Sequence, residues 1–154
     1  MKKSTILLVL VVYIVSFFIV GLLGISIRSN YEMNYVNEIL VTPMEEQIGL
    51  VEVSHERVEL TQNVDEEYRR FENSYTYSIA YQKGLVVKLR IKVVPDNSTY
   101  TKFNLVTEVS DYVTYEVKDE TLVYITFNKR RAANFTLEST DGNKTPTNVS
   151  VLAL

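Results

Sequence analysis

Cysteine and tryptophan are absent from this chain of 154 residues, and histidine occurs once, at His55. Without thiols there is no disulfide framework, no cysteine nucleophile and no thiolate metal site. A single imidazole leaves little material for a histidine-based triad or a multi-histidine zinc centre. Glycine is scarce too, and only Gly49, Gly84 and Gly142 lie beyond residue 28. Neither a Gly-rich phosphate loop nor a Gly-x-Ser-x-Gly elbow occurs. Turns that need a positive φ must therefore draw on Asn and Asp. Acidic residues are missing from the first 28 positions and all 19 follow them. Residues 29–154 hold 13 basic and 19 acidic side chains, net −6. A body of that sign repels phosphate backbones, so nucleic acid is not an expected partner. Carboxylates are plentiful, but no spacing fixes two of them across a cleft, as a glycosidase would require. The chain is expected to be non-catalytic and without a cofactor.

What the chain has in abundance is one apolar run. Ile6 to Ile27 is 22 residues without a charge. As a helix it spans about 33 Å, the thickness of a hydrocarbon core. It is apolar on all sides, which excludes an amphipathic surface helix. Ile6, Leu10, Phe17, Phe18, Leu22 and Ile27 are the expected lipid-facing anchor residues. Lys2 and Lys3 precede the run, whereas Arg28 stands alone after it and is followed by Glu32 and Glu38. The positive-inside bias then places residues 1–5 in the cytoplasm and the rest outside, in a single-pass cell-membrane topology. The alternative is a signal peptide cleaved near Gly24-Ile25-Ser26, giving a secreted protein, although its apolar core would normally be shorter. No GxxxG packing motif is present. Only Tyr13, Ser16 and Ser26 offer polar atoms within the run, which lends little support to an accessory or assembly subunit of a larger membrane complex.

Residues 28–47 show a loose helical spacing through Tyr31, Tyr35, Ile39 and Leu40, ending before Pro43. They are expected to form a stalk, with Tyr31 and Tyr35 at headgroup level. From residue 48 the period becomes two. Leu50–Ser54 and Arg57–Thr61 read as half-buried strands, and residues 62–82 as a charged loop or short helix whose Tyr68 and Phe71 reach the core. Leu85 to Val93 is the strongest strand, with Lys88, Arg90 and Lys92 on its polar face. Further strands fall at 103–106, 113–117, 122–127, 134–139 and 149–153. Seven or eight strands at such spacing predict an all-β, antiparallel sandwich over residues 48–154.

Charge is segregated: residues 43–72 carry nine acidic and three basic side chains. Glu45, Glu46, Asp65, Glu66 and Glu67 contain no calcium-loop pattern and read as solvated surface, so no metal is expected. Lys129, Arg130 and Arg131 are the candidate contact for a polyanion such as a phosphate-bearing surface polymer; the same charges would guard a sheet edge. Asp141-Gly142-Asn143 reads as a turn. His55 reads as a partly exposed histidine at a strand end.

Residues 85–154 resemble the bacterial immunoglobulin-like domains of group 2, the repeats of invasin- and intimin-type surface proteins. The resemblance rests on Val94-Pro95-Asp96-Asn97-Ser98-Thr99, on Val113 to Val117 followed by Leu122-Val123, and on Glu138-Ser139-Thr140-Asp141-Gly142-Asn143-Lys144. An opening strand is supplied by Val51 to Thr61. The family's tryptophan after the Pro-Asp-Asn strand is replaced near Leu105 and Val106. The glycine before a later strand is replaced by Arg131-Ala132-Ala133, and residues 62–82 stand as an insertion. The resemblance implies an immunoglobulin-like sandwich preceded by a single transmembrane helix. It also implies a spacer or adhesive role at the cell surface, with the lipid bilayer and an external protein or cell-wall glycan as partners.

Overall fold

The computed structural model describes residues 3–29, 33–108 and 110–154, and the side chains of these outside 24–29. The chain divides into two units, residues 1–33 and residues 34–154.

The first unit holds one helix, α1 (Lys3–Ser29). Its Val- and Ile-rich sequence has modest helix propensity in water, but a lipid environment leaves the backbone only its own hydrogen bonds. No residue of Lys3–Leu23 is buried, and the segment is long and apolar enough to cross a membrane.

The regular structure of the second unit is mainly strands: β1 (Glu38–Pro43), β2 (Val51–Glu59), β3 (Phe71–Ile79), β4 (Leu85–Val94), β5 (Phe103–Thr107), β6 (Val113–Lys118), β7 (Leu122–Phe127), β8 (Ala132–Ser139) and β9 (Pro146–Ala153). They form a four-stranded sheet, β1-β4-β7-β6, and a five-stranded sheet, β2-β3-β9-β8-β5. Both contribute to one core, in which Val87, Leu89, Val123 and Ile125 of the first sheet join Tyr77, Leu137 and Val151 of the second. Alternation explains the assignment: on β4 the residues Val87, Leu89 and Ile91 are buried while Arg90 and Lys92 are exposed.

β1 stitches the sheets together. It pairs with β4 along one side. On the other side every second carbonyl finds a donor from the five-stranded sheet. The Asn37 carbonyl accepts from the Phe71 amide (2.8 Å), the Ile39 carbonyl from the Thr147 hydroxyl (2.9 Å) and the Val41 carbonyl from the Tyr77 hydroxyl (2.9 Å). An edge strand that would otherwise bury unpaired acceptors is satisfied in this way. The scarcity of glycine shows at the β6–β7 turn, where Asp119 and Glu120 take φ of 50° and 56°. Two successive positive-φ residues define the turn that matches the twist of a hairpin.

Four expectations need correction. The stalk expected at 28–47 contains β1, and Val36, Ile39 and Val41 are at most 1% exposed. The alternation of Ile39 and Val41 decides the conformation there, and the helical spacing is incidental. The charged loop expected at 62–82 is a loop only to residue 70, carrying a short 3-10 turn at Glu66–Tyr68, and β3 follows it. Tyr68 is 53% exposed instead of reaching the core. β2 is a single strand with a bulge between Glu52 and Ser54, and it is exposed throughout instead of half-buried. Finally, the sheets are not wholly antiparallel, because β3 and β9 run parallel.

Candidate functional site

On α1 the expected anchor residues Ile6, Leu10, Phe17, Phe18 and Leu22 are between 52% and 76% exposed. The side chain of Ile27 lies outside the described residues, as do Lys2 and Tyr31. Tyr35 belongs to the second unit and stacks on Tyr100, with ring centroids 6.2 Å apart. Among the polar groups of the helix, the Ser16 hydroxyl donates back to the Val12 carbonyl (2.8 Å), so it presents no free donor to a neighbouring helix.

The basic triplet follows β7. Lys129 lies 4.4 Å and Arg131 4.8 Å from the centre of the Tyr112 ring, so both cations rest against one aromatic ring. The segment is fixed beneath them: the Asn128 amide donates to the Tyr112 carbonyl (2.8 Å), and the Arg131 carbonyl accepts from the Ala153 amide (3.1 Å). Arg130 lies between them and is exposed. The three form a fixed cationic tip, with Tyr112 as the part that sequence reading missed.

The densest polar junction joins β1, β2 and β3. Glu38 receives a bidentate pair from Arg57, 2.9 Å from Nε and 3.0 Å from Nη2. The guanidinium of Arg57 also lies 3.5 Å over the Phe71 ring. Asn73, fully buried, donates to Glu38 (3.0 Å) and to the Ile39 carbonyl (3.4 Å). Its amide oxygen therefore accepts, and His55 Nε2, 3.0 Å away, carries the proton. The imidazole stacks on Tyr75 at 4.2 Å. Burial pushes the Glu38 carboxyl up, but the hydrogen bonds from Arg57 and Asn73 and the charge of Arg57 outweigh it, holding the group below its ordinary value. The junction is a network of side chains from three strands. Its groups satisfy one another and tie the exposed β2 to the core.

Asp141 is the anchor of the loop between β8 and β9. It is 8% exposed, and its carboxylate accepts from the Val36 amide (2.9 Å), the Ser139 hydroxyl (2.6 Å) and the Asn143 amide (3.1 Å). A sequence signal for this existed in the Asp-Gly dipeptide, but the Val36 partner, 105 residues away, did not show. Among the described residues, no three acidic or histidine side chains converge as a metal site would require. The outer face of the five-stranded sheet holds a shallow hollow of about 540 Å³, lined by Val106 and Phe135 as well as by Ser74, Asn134, Thr136 and Asn148. Across its floor Thr136 donates to Asn148 (2.9 Å) and Asn148 to Glu72 (2.6 Å), so these polar groups are already engaged with one another.

No protein-family model, curated protein or solved structure matches this chain.

Proposed function

We propose that this protein is a single-pass, N-in membrane protein that displays a non-catalytic, immunoglobulin-like binding module outside the cytoplasmic membrane. The observation that carries this reading is α1, a span apolar on every side and without a buried residue over Lys3–Leu23, followed by a β unit that closes a core of its own. Such a helix in water would expose far more apolar surface than soluble proteins tolerate, and lipid removes that cost. The strand order supports the immunoglobulin-like part. With β1, β4, β7 and β6 taken as strands A, B, E and D, and β5, β8 and β9 as C, F and G, the sheets follow the ABED and CFG arrangement. β3 then acts as the second half of strand A, parallel to G, and β2 is an added arm. A filled core with polar faces outward suits recognition by surfaces more than chemistry in a cleft. The fixed cationic tip of Lys129, Arg130 and Arg131 suits an anionic partner, whether protein or cell-wall glycan. The internal hydrogen bond of Ser16 occupies its hydroxyl, which leaves the exposed Tyr13 as the polar handle for the accessory-subunit reading.

Extraction of membranes with alkaline carbonate, followed by protease treatment of intact cells, tests the proposal. The full-length chain is expected to stay with the membrane and to lose its β unit to the protease. Release of the full-length chain refutes insertion, protection from protease refutes the orientation, and a shortened chain in the medium makes the protein secreted.

A further inference from the structure

β2 is an outer strand of the five-stranded sheet, and among the described residues no strand pairs with its far edge. All nine of its residues are exposed. The direction of its free groups follows from the ladder. The Leu60 amide donates to the Arg70 carbonyl, which makes 60 and 70 a hydrogen-bonded pair in the β2–β3 register. Such pairs recur every second residue, so Val58, Glu56 and Ser54 bond to β3. His55, Arg57 and Glu59 therefore turn their N–H and C=O groups to the open side. The bulge ends this run at Ser54, leaving six residues of regular edge.

Other edges are blunted. β1 is satisfied by side chains and ends in Pro43, β5 is five residues long, and β6 is six residues long and ends in Lys118. β2 has neither proline nor lysine, and it exposes Val51, Val53 and Val58 by 56–59%, with Ile48 beside it at 92%. An edge of this kind is a template for a further strand.

Charge selects the occupant. Of the cations in residues 43–72, Arg57 is held by Glu38, Arg69 lies 3.7 Å from Glu59, and Arg70 donates to the Asn143 carbonyl. Among the described residues, Glu52, Glu56, Glu45, Glu46, Asp65, Glu66 and Glu67 form no ion pair. A second β2 would bring the same acids against them, whereas a basic strand would neutralise them. We propose that the Ser54–Glu59 edge receives, by strand addition, an extended segment of a partner protein in which Lys or Arg alternates with β-branched residues. The proposal does not depend on whether α1 anchors the chain.

The probe is a fluorescein-labelled octapeptide, Lys-Val-Lys-Thr-Lys-Val-Lys-Thr, titrated against the full chain in neutral detergent micelles and followed by anisotropy. We expect saturable binding that weakens at least tenfold in Glu59→Pro, which removes an outward amide and leaves the β3 ladder intact. A similar loss is expected in the double variant Glu52→Lys/Glu56→Lys, and a matching peptide with Glu in place of Lys should not bind. Should Glu59→Pro fail to fold, amide exchange decides: the peptide should slow exchange at His55, Arg57 and Glu59. Absence of binding, or binding unchanged in Glu59→Pro with those amides unprotected, overturns strand addition. Self-association of the chain that disappears in Glu59→Pro overturns the choice of occupant in favour of a second copy.

Discussion

β2 and β3 are each nine residues long and run side by side in one sheet, yet four residues of β3 are buried and none of β2 is. Their sequences suggest the reverse. Val51-Glu52-Val53 and Arg57-Val58-Glu59 alternate apolar with charged residues, while Phe71-Glu72-Asn73-Ser74-Tyr75-Thr76-Tyr77 holds four polar residues in seven and no aliphatic one. The difference lies in what faces each strand. β1 is the last strand of the four-stranded sheet on that side, and its Ile39 and Val41 carbonyls meet Thr147 and Tyr77. β3 therefore has a layer opposite it. β2, one strand further out, has none, and only Arg57 and His55 reach back to Glu38 and Asn73. Period-two alternation thus reports an extended strand, and burial is granted by the opposing sheet.

The largest expected effect tests the buried side of this contrast. Tyr77→Ala removes a side chain that is fully buried and leaves the Val41 carbonyl without its donor. It should cost about 3–5 kcal/mol, the range for large aromatic truncations in a core. Urea unfolding of the full-length protein in detergent micelles measures it. A loss below about 1 kcal/mol would mean that β3 does not form part of the core.

The strand arrangement was legible where alternation coincided with aliphatic residues. β4, β7 and β8 fall within a residue or two of their expected bounds, because Val87, Leu89, Ile91, Val123, Ile125, Phe135 and Leu137 mark one face without ambiguity. β3 escaped because its core positions are Asn73, Tyr75 and Tyr77, whose polar tips are satisfied only by residues far off in sequence, such as Glu38 and Val41. β1 escaped because a six-residue strand beside a proline is short of pattern, and its partners are likewise distant. Of the candidate sites, the basic triplet was readable as charge, while its stacking on Tyr112 was not, since 17 or more residues separate the ring from the cations. The open β2 edge depends on sheet order, which no local pattern encodes.

An intermediate effect tests the tether between exposed and buried strands. Arg57→Ala removes the bidentate partner of Glu38 and the contact over Phe71. Because Arg57 is half exposed, the loss is expected to be about 1 kcal/mol near neutral pH. Its pH dependence is more telling. The Glu38 carboxyl is held below its ordinary value of 4.5, so the folded state binds that proton less readily than the unfolded chain does. The stabilisation is therefore fully present above pH 4.5 and is lost as pH falls through the lower, folded-state value. The parent should lose this contribution on acidification, and Arg57→Ala should show a shallower acid slope in urea midpoints between pH 6 and 3. Parallel slopes would place the acid sensitivity in other carboxylates.

The smallest expected effect lies on the exposed side. Val58 is 56% exposed and pairs across the ladder with Glu72, so Val58→Thr removes no buried contact and keeps a β-branched side chain suited to a strand. Its effect on stability should stay within about 0.5 kcal/mol. The value of so small a number is its sign of independence. If β2 is an arm held by its ladder and by Arg57, the outer valines contribute nothing until a partner strand covers them. The same substitution should then weaken octapeptide binding about two- to threefold while leaving the urea midpoint where it was. A cost above about 1 kcal/mol in the free protein would reverse the argument, because it would mean that Val58 already packs against another part of the chain or another copy of it, and the contrast with β3 would be one of degree instead of kind.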